Sequence, residues 1–275
     1  MNEHEIRKMV RKSYAKVAEE GCGCCGPNTS CCGGATTAEQ MSMKMGYSAA
    51  EMGSVPEGAN LGLGCGNPLA HAEIHEGDTV LDLGSGAGFD CFLAARNVGM
   101  TGRVIGVDMT PEMVARAREN AKKANVTNVE FRLGEIEALP VADNSVDLII
   151  SNCVINLSPD KARVFNEAYR VLKPGGMLMV SDIVLEHELP EAVRTSAAAY
   201  ASCIAGAVLK EEYLDLIRKA KFSDVEILEE TRVPFDLAVT DPLLKAGLAP
   251  VSHFSNDPYV EESVKSVKVK AVKRA

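Results

Sequence analysis

The chain has 275 residues, a net charge of −9 and 46% hydrophobic residues. That length and apolar content are enough for a folded core and exclude a wholly disordered chain. The acidic balance and the absence of tryptophan argue against nucleic-acid binding, because phosphate backbones select basic surfaces and single strands stack on aromatic rings.

The N-terminal region joins a helical pattern to a cluster of thiols. Apolar residues at helical spacing predict a helix over residues 4–20. The stretch GCGCCGPNTSCCGG then holds five of the nine cysteines, namely Cys22, Cys24, Cys25, Cys31 and Cys32. A short helix is predicted over residues 38–46. The loop that follows, GSVPEGANLGLGCGNP, is rich in glycine and proline and should be irregular.

Charge and cysteine usage suggest a compartment. The first twenty residues hold no apolar run, and no segment reaches the ~18 apolar residues of a membrane span. We therefore expect a cytoplasmic protein without a membrane partner. Thiols stay reduced there, so clustered cysteines favour metal binding or catalysis over structural disulfides. A zinc site in the N-terminal cluster is conceivable, but C-x-C-C-x5-C-C lacks paired C-x-x-C knuckles.

From residue 78 onward, short apolar runs alternate with helical segments. The runs TVLDLG, RVIGVD, VEFRLG, VDLIIS and GMLMVSDIV predict five strands. The helix TPEMVARARENAKKA should begin with Thr110 as N-cap and Pro111 in its first turn, and SPDKARVFNEAYRVL should begin similarly at Ser158 and Pro159. This alternation predicts an α/β fold with a parallel sheet covered on both faces.

After Leu189 the alternation ends. Helices are predicted over residues 190–206, which include Cys203, and over residues 210–220. The segment VEILEE predicts a strand. The final stretch SVKSVKVKAVKR alternates valine and lysine, which is typical of an edge strand with one solvated face.

A glycine loop follows the first strand. The segment VLDLGSGAGFD holds Gly84, Gly86 and Gly88, which permit a tight turn and close backbone approach to a ligand at a helix N-terminus. The dinucleotide fingerprint is incomplete because Phe89 occupies the third glycine position, and no Walker lysine is present. Asp108 ends the second strand, where a carboxylate accepts hydrogen bonds from ribose hydroxyls.

Three isolated cysteines lie in distinctive settings. Cys153 follows the fourth strand in SNCVINL, at the strand end where open α/β sheets bind ligands. Cys65 lies between glycines that let the backbone crowd a ligand. Cys203 lies after the fifth strand. Together these thiols can converge on one soft ion, because thiolate selects soft acceptors. Simple core packing is the alternative; it is the interpretation for Cys91 and stays open for Cys203.

The motifs VLDLGSGAG, GVDMT, GEIEALP and VLKPGG, over roughly residues 60–190, resemble those of class I S-adenosylmethionine-dependent methyltransferases. The resemblance implies a Rossmann-like, seven-stranded, mostly parallel sheet flanked by helices, with an antiparallel strand in the last pair. It implies that Asp108 holds the ribose, that the first two glycines run past the methionine part, and that residues 134–136 lie against the adenine. The expected contacts with S-adenosyl-L-methionine are Asp82, Gly84, Ser85, Gly86, Asp108, Met109, Gly134, Glu135, Ile136 and Asn152.

A narrower resemblance covers roughly residues 35–235. The segments NLGLGCGNP, SNCVINLSPDK and ELPEAVRTSAAAYASCIAGA are similar to those of arsenite S-adenosylmethionine methyltransferases. It implies that Cys65, Cys153 and Cys203 bind trivalent arsenic as thiolates, with arsenite and methylarsenite as substrates. It also implies that an N-terminal cysteine forms a disulfide with Cys65 during turnover, and an external thiol reductant (thioredoxin, glutaredoxin or a small thiol) then reduces it. Five cysteines compete for that role; we choose Cys32, ahead of Cys31, because it lies nearest the core in sequence.

The expected organisation is an N-terminal helix and cysteine-rich segment (residues 1–60), a cofactor-binding Rossmann-like domain (61–188) and a smaller C-terminal arsenic-binding cap with late strands (189–275). Two alternatives stay open: a methyltransferase for a small organic metabolite, and a non-enzymatic thiolate protein that binds a metalloid. Arsenite-dependent consumption of the cofactor would discriminate among them.

Overall fold

The computed structural model describes residues 2–20, 38–233 and 258–274. Its centre is a seven-stranded sheet with strand order β3-β2-β1-β4-β5-β7-β6. The strands are β1 (Thr79–Leu83), β2 (Arg103–Asp108), β3 (Val129–Leu133), β4 (Val146–Asn152), β5 (Leu172–Leu185), β6 (Ser223–Arg232) and β7 (Val264–Val272). The first five pair in parallel, and β7 runs antiparallel to both of its neighbours. The predicted sheet, including its antiparallel strand, is confirmed.

Helices cover both faces of the sheet. They are α1 (Glu3–Glu20), α2 (Ala38–Lys44), α3 (Ala49–Met52), α4 (Phe89–Val98), α5 (Pro111–Lys123), α6 (Lys161–Val171), α7 (Glu191–Arg194), α8 (Ala197–Ala201), α9 (Lys210–Lys219) and α10 (Pro258–Ser263), with 3₁₀ turns at Pro68–His71 and Ile155–Leu157. Within the described ranges, no helix has the length and apolar character needed to cross a bilayer.

Strand β1 shows why its sequence is apolar throughout. Val80 packs in a cluster with residues of α4 and α5, whereas Leu81 and Leu83 pack with residues of α6 and α9 on the other face. Every residue of β1 is therefore buried. A strand with two covered faces reads as a continuous apolar run, which is the pattern that predicted it.

The prediction of a C-terminal edge strand is wrong. Strand β7 lies between β5 and β6, and β6 forms the edge. Lysines here have partners: Lys268 in the strand contacts Glu229 through Nζ at 2.6 Å, and Lys273, directly after the strand, donates from Nζ to the carbonyl oxygens of Tyr169 and Leu172. Period-two alternation therefore did not mark a solvated face here, because long side chains carry their charge to acceptors at the sheet margin.

Two helix predictions also need correction. The helix predicted over residues 190–206 is broken into α7 and α8, and Cys203 lies after them in a turn with φ 63°. Helix α6 begins later than predicted, because Asp160 is its N-cap and its carboxylate accepts from the Arg163 N–H at 3.0 Å. Thr110 does occupy the N-cap position of α5, although its side chain makes no capping bond.

Candidate functional site

A cleft of about 380 Å³ opens at the carboxyl ends of the parallel strands. The glycine loop after β1 lines it, and so do Arg7, Val10 and Tyr14 of α1. Ion pairs link helix α1 to the segment after β3: Arg7 contacts the buried Glu137 at 3.1 Å and Glu135 at 3.6 Å. The N-terminal helix thus covers a cleft that the sheet topology creates.

The glycine loop adopts the conformation for which glycine is suited. Gly84, Gly86 and Gly88 have φ values of 70°, 51° and 95°. A Cβ atom at Gly84 would lie 2.4 Å from Cγ2 of Val154, whereas one at Gly86 would meet no atom within 4 Å. The loop is therefore packed against the segment after β4 at Gly84 and open toward the cleft at Gly86.

Three carboxylates line this cleft beside the loop: Asp82, Asp90 and Asp108. Burial, together with the charge of Asp90, raises the pKa of Asp82 well above its usual range. Burial raises the pKa of Asp90 to about 6. The pKa of Asp108 is also raised by burial, although the backbone N–H groups of Thr110 and Gly86 oppose the shift. None of the three forms an ion pair with a described residue, so the cleft favours a cationic ligand.

Most of the predicted cofactor contacts line the cleft. Those that do are Asp82, Gly84, Ser85, Gly86, Asp108, Met109, Ile136 and Asn152. Gly134 instead lies against the ring of Pro140 and donates its N–H to the Asp108 carbonyl, and Glu135 pairs with Arg7 and Arg11 of α1.

Sequence reasoning missed Asp90 and Glu137. Asp90 lies in the first turn of α4, directly after the glycine loop. A polar residue at that position was the sequence signal that could have identified it. Glu137 accepts from Arg7 and from the Ser158 hydroxyl at 2.7 Å. No local pattern marks that contact, since it depends on where α1 docks.

A group of thiols lies beside the cleft at the end of β4. The Sγ atoms of Cys65 and Cys153 lie within 4.8 Å of each other, and the neighbouring Cys203 and Cys65 thiols, together with burial, raise the pKa of Cys153 well above its usual range. Cys203 Sγ also donates to the Cys153 carbonyl oxygen at 2.8 Å. The structure therefore brings the three predicted cysteines together, with Cys153 in the centre.

The backbone at two of these cysteines is strained. Cys153 has φ 57° and Cys203 has φ 63°, values that glycine adopts readily and other residues rarely do. Strained non-glycine residues concentrate at functional sites, where the surrounding structure enforces them. Both cysteines therefore lie in turns, outside regular helix or strand geometry, and Cys203 Sγ reaches the Cys153 carbonyl from its turn.

Asp182 was not predicted, and it lies against the thiols. Its carboxylate oxygen and the Sγ atoms of Cys65 and Cys153 all lie within 4.8 Å of one another. The carboxylate accepts from Asn156 Nδ2 at 2.9 Å and from the Tyr213 hydroxyl at 3.0 Å. Burial raises its pKa to about 6. The available signal was a polar residue inside the apolar run GMLMVSDIV.

The glycines around Cys65 permit close packing of the loop on the sheet. A Cβ atom at Gly64 would lie 2.8 Å from the amide of Asn152, and one at Gly66 would lie 2.1 Å from Ser181 Oγ. These glycines therefore let the loop press against side chains of β4 and β5, and both also line the cleft.

Cys91 is buried and donates its Sγ–H to Asp82 Oδ2 at 3.2 Å, in agreement with the packing interpretation. The five N-terminal cysteines, including Cys32, lie outside the described residues.

The chain is similar to methyltransferases of known activity. A family model described as a methyltransferase domain matches residues 74–221. The arsenite methyltransferase of Halobacterium salinarum is 52% identical over 230 residues, which are 81% of this chain and 59% of that protein. The human arsenite methyltransferase is 43% identical over 168 residues, 58% of this chain and 44% of that protein. This chain therefore spans about half the length of these curated relatives.

A solved structure agrees in fold and sequence. The crystal structure of an arsenic (III) S-adenosylmethionine methyltransferase from Chlamydomonas reinhardtii is 35% identical, with a TM-score of 0.63, and the match covers 85% of this chain and 73% of that one. The predicted Rossmann-like methyltransferase fold is confirmed. The chain belongs to the family of arsenic (III) S-adenosylmethionine methyltransferases.

Proposed function

We propose that this chain transfers a methyl group from S-adenosyl-L-methionine to trivalent arsenic held by Cys65, Cys153 and Cys203. The observation that carries the proposal is the position of Cys153 beside both Cys65 and Cys203 at the end of β4, in an acidic cleft that all three cysteines line. Thiolates select soft acceptors such as trivalent arsenic over hard cations. The names of the relatives support the same activity.

The residues of the cleft fit the proposed cofactor. S-adenosylmethionine carries an ammonium and a sulfonium, and Asp82 and Asp90 are buried carboxylates without a described cationic partner. Asp108 would hold the ribose, and the open side of Gly86 would admit the methionine part. Ile136 and Met109 would contact the adenine. When bound, the cofactor supplies an electrophilic methyl group.

The thiols would load arsenic without net proton release. Each thiol proton leaves with one arsenite hydroxyl as water while an As–S bond forms. The raised pKa of Cys153 fits this stoichiometry, because this thiol holds its proton until arsenic arrives. Three thiols replace three hydroxyls and leave arsenic trivalent with its lone pair.

The lone pair explains why the site needs no general base. No histidine of the described ranges lines the cleft, and three of them have partners elsewhere: His71 contacts Glu229, His75 contacts Asp78, and His187 stacks on Tyr259. Thiolate-bound arsenic is itself the nucleophile, so the protein has only to hold it in line with the methyl group. Such positioning supplies up to about 7–11 kcal/mol of a barrier.

Acceptance of the methyl group formally oxidises arsenic to the pentavalent state. The thiol of a second cysteine would attack the arsenic-bound sulfur: an S–S bond forms, the As–S bond breaks and leaves its electron pair on arsenic, and one proton is released. We propose that Cys65 is one partner and Cys32 the other. An external thiol system, whether thioredoxin, glutaredoxin or a small thiol, would then reduce the disulfide.

Single serine substitutions test the site. Cys65→Ser, Cys153→Ser and Cys203→Ser should each abolish methylation of arsenite or of methylarsenite, measured by chromatography of the arsenic products. Cys91→Ser is the matched control, because that residue is buried in the core and can still donate to Asp82. Full activity of Cys153→Ser would contradict the site. Cofactor consumption without methylated arsenicals would instead indicate an organic methyl acceptor.

A further inference from the structure

The segment Gly64–Gly66 is held by side chains from two strands, β4 and β7. Asn152 Oδ1 accepts from the Cys65 N–H at 3.1 Å, and Asn152 Nδ2 donates to the Gly66 carbonyl at 2.7 Å. Ser266 Oγ donates to the Cys65 carbonyl at 2.9 Å. These bonds fix where the Cys65 thiol lies. Asn152 also precedes Cys153 in the chain, so one residue sets the positions of two thiols.

The Asn152 amide has more acceptors than hydrogens. Besides Gly66, its Nδ2 lies 3.0 Å from the Tyr47 hydroxyl and 3.3 Å from Asp90 Oδ2. An amide nitrogen carries two hydrogens, so three acceptors must share them. The Tyr47 hydroxyl gives its own hydrogen to Asp90 Oδ1 at 2.6 Å and is therefore free to accept. The bond that holds the Cys65 loop thus competes with a carboxylate of the acidic cleft.

We infer that Asn152 is a positioning residue that couples occupancy of the acidic cleft to the placement of Cys65. A cationic ligand beside Asp82 and Asp90 would bind the Asp90 carboxylate oxygen that Asn152 Nδ2 contacts, and would replace that hydrogen bond. Both Asn152 hydrogens are then available to Gly66 and Tyr47, and the loop is held more firmly against β4. This inference rests on the proposed function, because it assumes a cationic cofactor in the cleft and arsenic on the thiols.

The coupling must act in both directions, because linkage between two binding sites is reciprocal. Ligand in the cleft should tighten arsenic binding, and arsenic should tighten cleft binding by the same factor. Couplings of this kind are typically at least about fivefold.

The test uses two probes that do not react with each other: S-adenosylhomocysteine, which keeps the ammonium group, and phenylarsine oxide, a trivalent arsenical that bridges two thiols. The parent is the full chain with the five N-terminal cysteines and Cys203 replaced by serine, so that Cys65 and Cys153 are the reactive pair. Calorimetry measures the affinity for phenylarsine oxide with and without saturating S-adenosylhomocysteine. The parent should bind about fivefold or more tightly with it.

Two variants should abolish the coupling. Asn152→Ala removes the shared amide, and Tyr47→Phe leaves two acceptors for two hydrogens, so in both the ratio of affinities should fall to about one. Ser266→Ala is the matched control: it should weaken arsenical binding but keep the ratio, because it loosens Cys65 without touching Asp90. If the ratio of affinities stays at fivefold in Asn152→Ala or Tyr47→Phe, the coupling through Asn152 is wrong, but the proposed function still stands. Failure of the parent to bind either probe would overturn the proposed function as well.

Discussion

Substitution of Gly66 by alanine tests how closely the Cys65 loop packs on the sheet. A Cβ atom there would lie 2.1 Å from Ser181 Oγ, and Ser181 is fully buried. The φ of Gly66 lies outside the left-handed region, so alanine adds no backbone strain and the whole effect is overpacking. Overpacking of this kind typically costs about 1–3 kcal/mol. We expect Gly66→Ala to lose that much stability and to weaken arsenical binding, because the loop must move away from β5.

Ser181→Ala supplies the rescue. Without the hydroxyl, the nearest remaining atoms to the new Cβ are Ser181 Cβ at 3.3 Å and Lys268 Cε at 3.7 Å. The hydroxyl has no hydrogen-bond partner among the described residues, so its removal alone should change stability by less than about 1 kcal/mol. Urea unfolding of the two single variants and the double variant gives the interaction free energy. A double variant no more stable than Gly66→Ala would refute the packing argument.

Three further predictions concern the cofactor cleft. S-adenosylmethionine binding should weaken as pH falls through about 6, because the cation needs ionised Asp90, and calorimetry of Asp90→Asn across this range should show no such step. The stability of the cofactor-free protein should change in the opposite direction. Burial favours protonated Asp90, so its contribution to stability is lost as pH rises through about 6. Arg7→Ala should lower the free energy of unfolding by about 1–3 kcal/mol in urea, because the buried Glu137 carboxylate loses its cation. Adding Glu137→Gln to that variant should recover part of the lost stability. Equal stability of Arg7→Ala and the parent would contradict this pairing. Gly84→Ala should lose cofactor binding and more than about 2 kcal/mol of stability, since it combines a φ of 70° with a Cβ 2.4 Å from Val154; unchanged binding would show that the loop can move.

Much of the fold was readable from the sequence because its core strands have both faces covered. Strand β1 and the glycine loop were located by a continuous apolar run that ends in glycine. The placement of Cys153 followed from the rule that ligands meet open α/β sheets at strand ends. Strand β7 was predicted at the sheet edge because its lysines indicated a solvated face, whereas Lys268 in the strand and Lys273 directly after it have specific partners.

The missed parts of the site depend on contacts between distant segments. Asn152 was predicted as a cofactor contact, but its amide is bonded to Cys65 and Gly66, which lie 87 and 86 positions away in the chain. Asp182 reaches the thiols only because β5 pairs with β4, with Ser181 opposite Asn152. Residue types and spacing cannot encode such pairings, since they arise from strand register and from the seating of an irregular loop.

The number of sulfur ligands on bound arsenic tests the central claim most directly. X-ray absorption at the arsenic edge counts those neighbours in the chain with its five N-terminal cysteines replaced by serine and arsenite bound. The thiols of Cys65, Cys153 and Cys203 predict three sulfur neighbours, and Cys203→Ser should reduce the number to two with one oxygen. Fewer than three sulfurs in the parent, or the same number after Cys203→Ser, would contradict the account.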